Sequence, residues 1–316
     1  MYDTVSFYHR NYRIDPNILS QSLSRCEVKT DNGTGDVLFY EGYIRNLYVK
    51  VGTDWLYCNG SFPRLLHSDN SFTLKRAEAK ACIEFLSDTL HYDMNNASVT
   101  RIDIATTFSM GQPVKMYLDC LGALSRFKRV VVAKDETLEY RQGTVDKEGQ
   151  SLAFYDKRLE SLERRNIHPK GLVGDNLLRY EHRWFGRLAT RLKEPEVIGS
   201  TLYDERFYRK IAELWSEDYF KIEKKKAVAA EAMRSIKTPA DAVDYIIAAL
   251  SQYAPPAFVT ECISQMKDRV VFNDAQSYTR VRNKFRDIMS NSIITEDMAL
   301  SKELDAKILE VLNNLQ

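Results

Sequence analysis

Apolar and polar residues alternate through much of the first 195 residues, with the period of two that is typical of β-strands. Turn signals such as Asp-Asn-Gly-Thr-Gly at 31–35 separate these stretches. The spacing of the apolar residues at 72–92 instead predicts an amphipathic helix, and 113–127 is a second candidate helix. Beyond the N-terminal strands, the pattern predicts strands at 98–110, 129–133, 137–143, 151–157 and 176–186.

The pattern changes near residue 195, after which helix-forming residues dominate. We therefore expect an α+β fold, with a mostly antiparallel central sheet and helices on one face in residues 1–195. A helical C-terminal domain is expected in residues 196–316. No internal repeat is visible in the sequence.

Composition excludes several classes of protein. No run of apolar residues reaches the roughly 18–20 needed to cross a bilayer, so no membrane partner is expected. The five cysteines are scattered, which indicates reduced thiols in a cytoplasmic protein rather than a disulfide framework or a zinc site. The net charge is only +1, but basic residues outnumber acidic ones by 16 to 10 between 120 and 193. Aromatic residues are interleaved with them, as suits a groove for single-stranded nucleic acid or, equally, a solvated surface over a core.

Three of the predicted strands each present one polar face, because side chains alternate along a strand. If these strands are neighbours in one sheet, a single surface carries two carboxylates, a tyrosine, a lysine and three arginines. The residues concerned are Arg101 and Asp103, Tyr155 and Lys157, and Arg179, Glu181 and Arg183.

That set of side chains has a specific chemistry. Asp103 and Glu181 can hold Mg²⁺ or Mn²⁺ through oxygen ligands. Tyr155 can attack a phosphodiester if a cation favours its phenolate, and Lys157 can supply that charge or hold the phosphate. The alternative is a half-exposed sheet that carries ordinary cross-strand ion pairs. Tyr140 is the main rival nucleophile, or else a base-stacking platform.

At these same residues the sequence resembles the replication initiation proteins of filamentous phages, of the gene II/X type, and more distantly the rolling-circle initiators of small plasmids. The segments that carry the resemblance occur in the family's order over roughly residues 1–190. They are MYDTVSF (1–7), LYVKVGTDWLYCNGSFPRLLHSDN (47–70), TRIDIATTFSMGQP (100–113), SLAFYDKRLESL (151–162) and LLRYEHRW (177–184).

The resemblance implies a site-specific nicking and closing enzyme that cuts one strand of a double-stranded origin and stays attached to the 5′ end. Tyr155 would be the nucleophile and Lys157 its partner, with Asp103 and Glu181 as metal ligands. Phosphate or DNA contacts are expected at Arg101, Arg179, Arg183, Tyr140 and Arg158. The chain has no His-hydrophobe-His triplet, so the metal site would be built from carboxylates.

Two other interpretations stay open at this point. One is a non-catalytic DNA-binding regulator of replication with the same fold, and the other is an unrelated protein with a charged sheet. The initiator interpretation implies origin DNA, the nicked single strand, and a host helicase and polymerase as partners. The helical end is open to three roles: origin binding, joining of protomers into a homo-oligomer, or helicase recruitment.

Overall fold

The structure is a computed structural model that describes residues 1–67, 70, 73–132, 137–144, 148–163, 174–255 and 257–314. Ten of its strands form one sheet, and every pairing between neighbours is antiparallel. These strands are β1 Tyr2–Arg10, β2 Ser24–Thr30, β3 Val37–Ile44, β4 Leu47–Gly52, β5 Trp55–Ser61, β6 Ser98–Ser109, β7 Lys128–Val132, β8 Thr137–Thr144, β9 Glu148–Asp156 and β10 Leu177–Phe185.

The strand order gives the sheet two similar halves. The order is β2-β3-β4-β5-β1-β6-β10-β9-β8-β7. Read outward from the central β1–β6 pair, each half has one long strand followed by a four-stranded meander whose last strand pairs with it. The sequence shows no repeat, so this duplication is visible only at the level of the fold.

Helices connect parts of the sheet and form most of the C-terminal region. They are α1 Pro16–Ser22, α2 Pro63–Leu66, α3 Arg76–Leu90, α4 Val114–Leu118, α5 Lys157–Glu163, α6 Leu188–Leu192, α7 Glu205–Phe220, α8 Pro239–Ser251, α9 Phe258–Asp268, α10 Ala275–Ser290 and α11 Ala299–Asn313. Short 3₁₀ turns lie at Met94–Asn96, Gly199–Tyr203 and Ala232–Ser235. Two further strands, β11 Lys226–Val228 and β12 Thr295–Asp297, pair with each other in a region where no strand was expected.

The main core lies on one face of the sheet, under α3, α7 and α11. Phe154 and Tyr180 lie opposite each other on β9 and β10, with their rings parallel and 4.4 Å apart. Trp215 of α7 stacks on Tyr180, with ring centroids 4.9 Å apart. The predicted antiparallel α+β fold with helices on one face is therefore confirmed, and the opposite face is left for polar residues.

Packing divides the chain differently from the change in sequence pattern at residue 195. Helices α7 and α11, both beyond that residue, contribute Trp215 and Ile308 to the core of the sheet. A separate small apolar cluster contains Ala248, Ile288 and Ile294. The boundary at 195/196 remains a prediction, and the described packing sets apart only the region between β11 and β12.

The helix expected at 113–127 is shorter than predicted, because α4 ends at Leu118. The chain that follows pairs with another backbone segment: Leu121 bridges Lys224, and the amide of Gly122 donates to the carbonyl of Glu223 at 2.7 Å. A β-carbon on Gly122 would lie 2.8 Å from that carbonyl oxygen. This close approach of two backbones ends the helix, and no local pattern indicates it.

No helix in the described ranges is both long and apolar enough to cross a membrane. All five cysteines are free thiols.

We expect Phe154→Ala to lower the free energy of unfolding by about 3–5 kcal/mol, since it removes a fully buried ring from between Tyr140 and Tyr180. Phe258→Ala is the matched control, because that ring is 48% exposed and its loss should cost less than about 0.5 kcal/mol. Urea unfolding of both variants measures the difference, and equal losses would contradict the assignment of Phe154 to the core.

Candidate active site

The three strands with polar faces are neighbours in the second half of the sheet, in the order β6-β10-β9. Glu181 on β10 lies between Ala105 of β6 and Ala153 of β9, and both alanines are buried. Their small side chains leave space above the sheet beside Glu181. Longer side chains from neighbouring positions can therefore reach its carboxylate.

Tyr155 and Glu181 meet on this face. Tyr155 lies directly across from Arg179, and its hydroxyl donates a hydrogen bond of 2.6 Å to Oε1 of Glu181, two residues further along β10. The tyrosine keeps part of its surface exposed. The sequence analysis expected polar side chains from separate strands to meet on one surface, and Tyr155 and Glu181 do so.

Two arginines complete the shell around Glu181. Nε of Arg179 donates to Oε1 at 2.8 Å, and Arg183 donates twice to Oε2, at 2.9 and 2.6 Å. Burial alone would raise the pKa of Glu181, but the charges of Arg183 and Arg179 outweigh it and hold the pKa well below its usual range. Burial and the Glu181 charge together raise the pKa of Tyr155 well above its usual value. The phenol is therefore neutral beside an ionised carboxylate.

Arg179 positions Glu181 rather than facing solvent. Its side chain is 2% exposed, and its other donors reach the carbonyl of Asn70 and the hydroxyl of Thr107, with Asp3 at 3.1 Å. A guanidinium held on so many sides is fixed in place, and so is the carboxylate that it bonds.

The other two arginines of the cluster are more accessible. Arg101 and Arg183 are 27% and 23% exposed. These two arginines can therefore be reached by a phosphate from solvent. Arg179, which is 2% exposed, could contact a phosphate only by leaving the interior.

Asp103 lies across from Arg183 on the same face, but its partner is Arg101. Arg101 donates to both carboxylate oxygens of Asp103, at 2.8 and 2.5 Å. Burial raises the pKa of Asp103 to about 6 despite that contact, with the charge of Glu181 adding to the effect.

Lys157 is not part of the strand, so the alternation that placed it beside Tyr155 stops one residue earlier. Asp156 accepts hydrogen bonds from the amides of Arg158 and Leu159 and so starts α5 at Lys157. The buried ammonium of Lys157 bonds Glu160 at 2.7 Å. Burial and the nearby charge of Arg179 lower the pKa of Lys157. The expected pairing of Lys157 with Tyr155 is not formed, because Lys157 bonds Glu160 and Tyr155 bonds Glu181.

The structure does not bring Tyr140 to this surface. It lies opposite Leu152 on the apolar face, is fully buried, and donates its hydroxyl to the carbonyl of Gly122 at 2.7 Å. A role as nucleophile or DNA-stacking platform would require this ring to leave the core. Arg158 lies near the surface, where it bonds Asp175 at 2.7 Å.

Sequence reasoning missed three acidic members of the cluster. They are Asp3, which pairs with Arg179; Glu139, 3.6 Å from Arg183; and Glu160, which pairs with Lys157.

Two of these three acidic residues had a signal in the sequence. Glu160 follows Lys157 by three residues on a helix, and Glu139 alternates with apolar neighbours along its strand. Asp3 gives no comparable signal, because its role depends on the pairing of β1 with β6.

The two carboxylates proposed as metal ligands do not fit a metal site in this geometry. Both oxygens of each carboxylate already accept hydrogen bonds from guanidinium groups. Arg183, bonded to Glu181 and close enough to Asp103 to lower its pKa, supplies the positive charge that a bridging cation would bring. Over the described ranges, no group of three or more His, Cys, Asp or Glu side chains is placed to hold a metal ion.

An antiparallel α+β sheet with a tyrosine, carboxylates and arginines on its polar face is the arrangement that the resemblance to replication initiation proteins predicted. Comparison with known families agrees with this class. Residues 13–217 match the family described as the N-terminal region of the phage replication-associated protein of the gene II type, and the chain belongs to that family. The matched span contains β2 to β10 and all nine residues that the sequence analysis assigned to the site.

Other comparisons add little about the site. No curated protein matches the chain. Among solved structures, a rolling circle replication initiator protein from Geobacillus stearothermophilus aligns with 13% identity, over 68% of this chain and 83% of its own length. The TM-score of 0.33 is too low for that alignment to inform the position of any side chain.

We expect Glu181→Gln to lower the free energy of unfolding at pH 7 by about 3–5 kcal/mol, because a neutral amide removes the charge that both arginines bond and leaves the buried guanidinium of Arg179 with Asp3 as its remaining counter-charge. Glu196→Gln, at an exposed carboxylate, is the control and should cost less than about 0.5 kcal/mol. Urea unfolding checks both. A loss at Glu181 as small as the control's would show that the cluster is not held by this carboxylate.

We also expect Asp103 to make stability depend on pH. Its pKa is about 6 in the folded chain against 3.8 in the reference state, so the folded state binds the extra proton and loses stability as pH rises from about 4 to about 6. Asp103→Asn removes that titration. The free energy of unfolding of the variant minus that of the unmodified chain should therefore increase by about 2–3 kcal/mol from pH 4 to pH 7. Parallel stability curves for the two proteins over this range would contradict the raised pKa.

Proposed function

We propose that this protein is a rolling-circle replication initiation protein of a phage or plasmid. It nicks one DNA strand at an origin through a 5′-phosphotyrosine intermediate and later rejoins the strand. The observation that carries the proposal is the 2.6 Å hydrogen bond from Tyr155 to Glu181, inside a frame of arginines on an open sheet face. Membership of a replication-associated family supports DNA as the substrate.

The proposed nicking step uses Tyr155 as the nucleophile and Glu181 as the residue that orients the phenol through their hydrogen bond. The Tyr155 oxygen forms a bond to phosphorus while the phenolic proton passes to solvent water, because Glu181 is held ionised by two arginines and is a weak base. The bond from phosphorus to the 3′ oxygen breaks, and that oxygen takes a proton from water and becomes the 3′ hydroxyl. The 5′ phosphate is then esterified to Tyr155, and attack by a 3′ hydroxyl reverses the sequence of steps and rejoins the strand.

Charge around the pair serves this step in two ways. Arg179 and Arg183 keep Glu181 ionised at physiological pH, so it is always able to accept a hydrogen bond from the phenol. The two partly exposed arginines, Arg101 and Arg183, can contact the non-bridging phosphate oxygens, where planar guanidinium groups bind in pairs of hydrogen bonds. Lys157 adds a further positive charge at the start of α5. Arg158, the next residue, can contact the DNA backbone beside the scissile phosphate.

No step is assigned to Mg²⁺ or Mn²⁺, because both candidate carboxylates are already held by arginines. A nicking assay with each ion and with a chelator tests the metal dependence that the sequence predicted. Under this proposal the partners are the double-stranded origin and the nicked single strand, and the freed 3′ hydroxyl is the primer for a host polymerase. A host helicase and a second copy of the chain are further partners proposed from the sequence alone.

The proposal predicts that Tyr155→Phe abolishes conversion of supercoiled origin plasmid to open circles, by at least about a thousandfold. Origin binding should change by less than about twofold, because the lost hydroxyl faces Glu181. Tyr140→Phe is the matched control and should still nick, since that hydroxyl lies in the core. Mass spectrometry of the trapped product should find DNA on the peptide that contains Tyr155.

Two results would overturn parts of this scheme. If Tyr155→Phe nicks and Tyr140→Phe does not, the nucleophile is misassigned. If the unmodified chain binds the origin but never nicks with Mg²⁺ or Mn²⁺, the protein is a non-catalytic replication regulator. The neutral state of Tyr155, whose pKa is raised by burial and by Glu181, is the feature that favours that second function.

A further inference from the structure

Six aromatic side chains lie on the polar face of the first half of the sheet, away from the candidate active site. Pairing of β1, β5, β4 and β3 places them side by side in adjacent rows. None is buried, although the same strands bury their other face in the core. The six residues are Tyr8, Phe39, Tyr43, Tyr48, Trp55 and Tyr57.

Trp55 lies flat over the strand beside it. A β-carbon on Gly52 would be 2.1 Å from Nε1 and 2.3 Å from Cε2 of this indole, so the ring covers the position where Gly52 has no side chain. Tyr8 is nearly parallel to the indole, with an interplanar angle of 22° and centroids 6.5 Å apart, and Phe39 lies 6.2 Å away on the other side. Phe39 is tilted by 50° to the indole, so Trp55 and Tyr8 are the rings of this group that lie along the sheet with their faces outward, as base-stacking platforms do.

Basic side chains lie among the rings. Nζ of Lys50 is 4.7 Å from the centroid of Phe39 and 5.4 Å from that of Tyr48. Arg10 is exposed beside Trp55 at the end of the row. Two carboxylates lie at the β2–β3 edge of this face, Glu27 and Glu41. Lys29 pairs with them at 2.7 and 3.3 Å, and Lys50 lies 3.6 Å from Glu41, so two lysines offset the two charges.

This face is continuous with the candidate active site. Ser6 on β1 lies between Asn59 of β5 and Arg101 of β6, so the aromatic rows and the Glu181 cluster belong to one surface. Four strand spacings separate β5 from β9, which is about 19 Å at ~4.8 Å per step. A few nucleotides of an extended strand cover that distance.

We propose that the aromatic face of β1, β3, β4 and β5 binds single-stranded DNA by base stacking, and that it holds the strand whose phosphodiester lies at Tyr155. The inference rests on the proposed function for the identity of that strand. Unpaired bases are required, because the flat faces of paired bases are covered by their neighbours in a duplex.

The chain offers a direct optical test. It has three tryptophans, of which Trp184 and Trp215 are buried in the core, so Trp55 is the one that a ligand can reach. We expect a 16-nucleotide oligothymidylate to quench the fluorescence of the full chain, and the matching duplex to leave it unchanged. Trp55→Leu should remove the quenching and weaken binding of the oligonucleotide, measured by anisotropy, at least about fivefold.

Two further variants separate stacking from folding. Gly52→Ala keeps every aromatic residue and every charge but pushes the indole off the sheet, so it should also weaken binding. Tyr253→Leu removes an aromatic ring that is 88% exposed in another region, and it should bind as the unmodified chain does. Circular dichroism melts confirm that each variant is folded.

Absence of quenching, with Trp55→Leu and Gly52→Ala both binding within twofold of the unmodified chain, would overturn the proposal and leave the rings as cross-strand packing. Failure of this stacking proposal can be distinguished from failure of the proposed nicking function. Nicking at Tyr155 without quenching refutes the stacking face alone, whereas quenching without nicking supports the stacking face and refutes the enzyme.

Discussion

The ionised cluster centred on Glu181 is the constraint on which the polar half of this structure depends. A buried carboxylate is stable only if charged or hydrogen-bonding groups surround it, and here two arginines and a tyrosine supply four hydrogen bonds. Each of those groups belongs to β9 or β10 and is aimed by the pleat of the sheet. The requirement to satisfy one buried charge therefore fixes the side chains that the proposed chemistry uses.

The two faces of the sheet have different roles: one packs in the core, and the other carries the candidate site. One face packs Phe154, Tyr180 and their neighbours against α7, so it sets the stability and the register of the strands. Since a shift of one residue would exchange the faces, the apolar core also determines which residues lie on the polar side. The side chains of the candidate site have fixed positions because the opposite face of the same strands is packed in the core.

The two halves of the sheet have the same strand order and different surfaces. In the second half, the polar face carries charges that are largely satisfied by one another around Tyr155. In the first half, the corresponding face carries partly exposed rings and lysines. One duplicated framework can thus hold a reacting phosphodiester in one half and the neighbouring bases in the other, if DNA crosses the central β1–β6 pair.

Local pattern alone determined the three strands of the candidate site, their polar faces and the candidates on them, because alternation depends only on neighbouring residues in the chain. The sequence pointed to Tyr155 and Glu181 on this basis, but with Lys157 as the partner of Tyr155 and Asp103 as the partner of Glu181, and the family resemblance implied the same pairings. The order of the strands was decided by tertiary structure, and with it the contact between these two residues and the core position of Tyr140. Tertiary contacts also ended α4 at Leu118, paired Asp3 with Arg179 and bonded Arg183 to Glu181, one of the two expected metal ligands. Pairing energies across strands depend on residues far apart in the chain, so no short stretch of sequence contains them.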